Sequence, residues 1–98
     1  MESPLTMRER LNRYEIAQKT IGFMMATRSA AIHEAETATV PDVQRIATLE
    51  RELCDLGWEQ DDLRLDDDAA IQRVIDVYGP IVKANFERLR ALMSQSAG

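Results

Sequence analysis

The chain holds one cysteine, Cys54, and one histidine, His33. A lone cysteine cannot close an internal disulfide, and one residue of each kind cannot supply the ligand set of a zinc site. Disulfide scaffolds and zinc modules are therefore both excluded, and the cysteine usage agrees with a reducing compartment. No apolar run approaches the ~20 residues of a membrane-spanning helix. The first residues, Met1 to Pro4, lack the charged-then-apolar pattern of a secretory leader, so a cytoplasmic protein with no membrane partner is expected. Alternation of apolar and polar residues never persists beyond three or four positions, and no internal repeat is present, which argues against a β architecture. With 98 residues the chain can build one domain around one core, too small to bury a roomy active site under two layers of structure.

What the chain does have is charge sorted by position. Residues 34 to 68 carry twelve acids against three arginines, whereas the segments on either side are mildly basic. The net charge of −5 hides this sorting. An acidic block of this kind suits either a face for basic partners or helix ends that need acids.

The pattern of apolar residues predicts helices throughout. Ser3 before Pro4, and Thr6 with Glu9 three residues later, are overlapping N-terminal signals, the second a capping box. From there Leu11, Tyr14, Ala17, Ile21, Met24, Met25, Ala31 and Ile32 keep the three-and-four spacing of one helical stripe, predicting a long helix over about 5–36. At 1.5 Å per residue such a helix is roughly 44 Å long and should overhang a compact domain about 33 Å across. Thr39, Pro41 and Asp42 mark a second start. The seam Val43, Ile46, Leu49, Leu53, Leu56 then predicts a helix over about 40–56, closed by Gly57 in its customary position past a helix end. Residues 57–66 read as an acidic loop. Asp66, Asp67 and Asp68 cap a helix over about 67–78, and Gly79 with Pro80 should break it before a last helix over about 80–94. Ser94 to Gly98 read as a tail. The expected fold is a small all-α bundle of three or four helices with a Gly-Pro break between the last two segments.

Catalysis needs a nucleophile or base beside an orienting partner, or metal ligands that converge. Glu52 with Asp55, and Glu59 with Asp62, place pairs of carboxylates one turn apart, but no matching pair stands on another helix. Leu63 and Leu65 interrupt the acidic run where a calcium loop needs oxygen ligands. Neither an enzyme nor a metal or other cofactor is expected. A nucleic-acid reader would need a basic stripe, and Arg8, Arg10, Arg13 and Lys19 are interleaved with Glu9 and Glu15.

A protein-binding role carries more support. The hexad Ile21 to Ala26 is apolar on every side, so a helix packed on one face would expose half of it. Either helices flank it from both sides, or Phe23, Met24 and Met25 form a partner-binding or homodimer patch. Trp58, the only tryptophan, lies beside Glu59, Asp61 and Asp62, which suits an aromatic anchor in a charged rim. Its alternative role is to pack back on Leu53 just past the helix end. Tyr14, Tyr78 and Phe86 read as core or core-edge residues. The expected function is a non-enzymatic regulator, adaptor or inhibitor, working as a homodimer, that uses Phe23, Met24, Met25, Trp58, Glu59, Asp61 and Asp62 to hold a protein with a basic surface. The alternatives are a DNA-binding regulator using the basic start of the first helix, or an acidic mimic of nucleic acid.

Overall fold

A computed structural model describes residues 5–97 as three α-helices, with no strand among them. These are α1 (Met7–Glu36), α2 (Val43–Asp62) and α3 (Asp68–Ala97). The start signal at Ser3 and Pro4 and the terminal Gly98 lie outside the described residues.

Each helix starts where its chemistry says it should. Thr6 Oγ1 accepts from the Glu9 amide at 3.1 Å, and Glu9 Oε1 accepts from the Thr6 amide at 3.2 Å, which completes the capping box before α1. The Thr6 amide first, and the Thr6 hydroxyl, which also donates to Glu9 Oε1, second, hold the Glu9 carboxyl below its ordinary pKa. Asp42 caps α2 by accepting from the Arg45 amide at 3.1 Å, and Asp67 does the same for α3 through the Ala70 amide at 3.1 Å.

The helix ends differ from the sequence expectation in two places. α2 continues through Gly57 to Asp62, and no glycine among the described residues has positive φ. Leu49, Leu56 and Leu63 stand seven residues apart, and all three are buried, so packing carries the helix past its glycine. The acidic stretch Trp58 to Asp62 is therefore the last turn and a half of α2, and only 63–67 form the connection. α3 likewise runs unbroken through Gly79 and Pro80 and absorbs the expected tail to Ala97. An interior proline costs about 3 kcal/mol by removing an amide donor and crowding the carbonyl four residues back. Here that carbonyl belongs to Asp76, which like Pro80 is exposed, so water can satisfy it. Ile75, Tyr78 and Val82 pack on the core from both sides of the proline and hold the two segments in line.

Helix α1 is the middle of the molecule. α2 runs antiparallel to it, with Gln18 opposite Gln60 and Arg28 opposite Glu52. α3 runs parallel to it, with Arg10 opposite Asp68 and Phe23 opposite Phe86. α2 and α3 each pack on α1 and make no close backbone approach to one another. The core lies toward one end, where Ala17, Ile21 and Met24 of α1 meet Leu56, Leu63, Ile71 and Val74. With one helix between two others and a core that reaches only the first half of α3, the chain is long and thin: 58 × 37 × 17 Å, with a radius of gyration of 16.8 Å. A compact domain of this length would have about 13 Å.

Candidate protein-docking surface

Most of the α1 hexad is covered within the chain, Ala26 alone being exposed. Ile21 is fully buried and Met24 is 3% exposed. Met25 packs beside the core, close to Gly57. Phe23 stacks on Phe86 with ring centroids 4.7 Å apart and 28° between planes. Of the two readings of this segment, the one with helices on both sides describes the molecule: Phe23, Met24 and Met25 face α2 and α3, and a partner cannot reach Met24.

Polar side chains lock the same arrangement. Gln18 Nε2 donates to the Gln60 carbonyl and Gln60 Nε2 donates to the Gln18 carbonyl, both at 3.1 Å, clasping α1 to α2. Arg28 Nε donates to Glu52 Oε1 at 2.8 Å further along that seam. Glu59, expected as a free acid beside Trp58, instead bridges α2 to α3. It accepts from Tyr78 Oη at 2.5 Å on one oxygen and from Arg73 Nη2 at 3.2 Å on the other. Burial first, and the Glu59 carboxylate second, push the Tyr78 phenol above its ordinary pKa of 10.0. The charge-assisted bond from Tyr78 is short because its acceptor is anionic.

The basic start of α1 is also engaged. Arg10 lies 3.8 Å from Asp68, and the Arg13 guanidinium donates to Gln72, so two of its four cations are turned toward α3. Among the described residues no three His, Cys, Asp or Glu side chains come together as metal ligands. No helix of the described residues is long and apolar enough to cross a membrane.

Apolar side chains stay exposed at several places, Val40, Val43 and Val77 among them, and two groups bear on docking. The first is Trp58, 65% exposed on the side of α2 away from the core, where the helix cannot fold it back on Leu53. Helical spacing rings it with carboxylates: Asp55 precedes it by three residues, and Asp61 and Asp62 follow by three and four, all exposed. The second is absent from the sequence-based expectation. The core stripe of α3, formed by Ile71, Ile75, Tyr78 and Val82, continues in register through Phe86, Leu89 and Met93. These three are 51%, 50% and 71% exposed. Phe86 is thus an exposed ridge residue held on one side by Phe23, rather than part of the core. The signal was present as the regular four-four-three-four spacing from Tyr78 to Met93, but period alone cannot say whether a stripe is covered by its own chain. No protein-family model, curated protein or solved structure matches this chain.

Proposed function

We propose that this chain is a non-enzymatic protein-binding module, acting as a regulator or adaptor, and that it binds through the distal half of α3 (residues 83–97). The supporting observation is the stripe Phe86, Leu89, Met93, which keeps core spacing on a helix whose own chain leaves half or more of each side chain in water. Contiguous apolar surface at helical spacing is what helix-docking proteins present to a partner. The acids around Trp58 add a second, charged element that steers association with a basic surface. The stripe starts at Phe86, which stacks on Phe23 of the α1 hexad, and runs from there along α3.

Photo-crosslinking in the native host tests the reading. A benzoylphenylalanine at Leu89 should trap a defined protein adduct, and the same group at exposed Glu15 on α1 should not. Equal or absent adducts at the two positions would remove the stripe from the docking surface.

A further inference from the structure

The surroundings of Trp58 and of the α3 stripe carry opposite charge. The distal half of α3 has Lys83, Arg88 and Arg90 against the single acid Glu87. Helix α2 has six acids against two arginines, and Asp55, Asp61 and Asp62 stand around Trp58. On a helical wheel Arg90 and Lys83 lie along one edge of the Phe86, Leu89, Met93 stripe, with Glu87 beyond them, whereas Arg88 lies on the far side of the helix. Two distal α3 segments pressed together would set cations against cations, whereas the Trp58 face offers those cations carboxylates and an aromatic ring. An arginine over tryptophan, flanked by acids, gains from both the ring quadrupole and the charges.

We infer that the surface bound by the α3 stripe is the Trp58 face of α2 on a second copy of this chain, an association that rests on the stripe being a docking surface. Phe86, Leu89 and Met93 of one copy cover Trp58 of the next, and Lys83 and Arg90 meet carboxylates of Asp55, Asp61 and Asp62. Different surfaces meet at each junction, so the contact is heterologous and every copy keeps one free donor and one free acceptor face. Such contacts build rings or head-to-tail chains rather than closed pairs. Aromatic side chains carry about 150–250 Å² each, so Trp58 and Phe86 together leave on the order of 250 Å² in water. With Leu89 and Met93 added, the junction belongs among small, reversible interfaces below about 1,200 Å². The elongated shape, and a core that ends at Val82 and leaves distal α3 uncovered, fit an element that gains its second layer from a neighbour.

Head-to-tail contact has a distinctive signature in mixed variants. One variant carries Leu89→Asp and Met93→Asp, destroying the stripe; the other carries Asp55→Lys, Asp61→Lys and Asp62→Lys, reversing the Trp58 rim. All five positions are exposed, so both should fold, which far-ultraviolet circular dichroism checks. Sedimentation velocity of the purified full chain, from micromolar to millimolar concentration, should show reversible oligomers, and each variant alone should associate at least tenfold more weakly. Mixing the two should restore one-to-one dimers and nothing larger, because each variant keeps the face that the other lacks. Trp58 emission should shift to the blue as wild-type chain is concentrated, and should not in the stripe variant. Raising salt from about 0.1 M to about 1 M cuts the screening length from about 10 Å to about 3 Å and should weaken wild-type association severalfold. A wild-type chain that stays monomeric throughout would overturn the inference, as would a rim variant that associates like wild type or a mixture that does not pair. If the chain is monomeric and the crosslinker at Leu89 still traps a different protein, the second copy is refuted and the docking reading stands. If neither occurs, both fall.

Discussion

Replacing Gly57 by alanine separates two accounts of α2 that give opposite signs. If Gly57 stood just past a helix end in the left-handed region, a Cβ there would cost roughly 1–2 kcal/mol. In the folded chain it lies inside α2 without positive φ, and a Cβ built on it meets only Met25 Cε at 3.6 Å, an ordinary van der Waals distance to the flexible end of a side chain. Alanine then gains the helix-propensity difference of about 1 kcal/mol, part of it by reducing the freedom of the unfolded chain. For a domain of this size 1 kcal/mol moves Tm by about 4–8 °C. Thermal and urea unfolding followed at the helical circular dichroism band should therefore show Gly57→Ala raising Tm and the urea midpoint. Gly79→Ala is the matching control, since a Cβ at Gly79 meets nothing within 4 Å. A fall in Tm for Gly57→Ala beside a rise for Gly79→Ala would refute the continuous α2 helix.

Two further outcomes follow from the packing. Ile71 is 1% exposed at the centre of the core, so Ile71→Ala should cost about 2–5 kcal/mol in urea unfolding; a loss under 1 kcal/mol would mean that the core is not where the three helices meet. The raised pKa of Tyr78 means that the folded state favours the protonated phenol, so its contribution is complete below pH 10.0 and is lost as pH rises through the higher folded value. Urea midpoints at neutral pH and near pH 11 should show the advantage of wild type over Tyr78→Phe shrinking in alkali, and a constant difference would separate Tyr78 from Glu59.

Local chemistry was readable wherever it needed only neighbours along the chain. Thr6 with Glu9, Asp42 and Asp67 are caps because their side chains reach amides three residues on, a distance that the backbone itself sets. The apolar periods placed α1 at about its true length and identified Ala17, Ile21, Met24, Leu49 and Leu56 as inward-facing. The all-α class followed from the same periods. Glycine and proline misled at Gly57 and at Gly79 with Pro80, because each penalty is a few kcal/mol at most and burial on either side exceeds it.

The helix starts, and the face of each helix that seeks an apolar neighbour, are thus set by residues close together along the chain. Packing in three dimensions chose the neighbour. It set α1 between α2 and α3, hid Met24 and turned Phe23 and Met25 inward, assigned Glu59 to Tyr78 and Arg73, and left Trp58 and the Phe86, Leu89, Met93 stripe in water. A stripe's spacing records that it needs covering, whereas the covering depends on contacts between residues far apart in the chain, which periodicity along one helix does not encode.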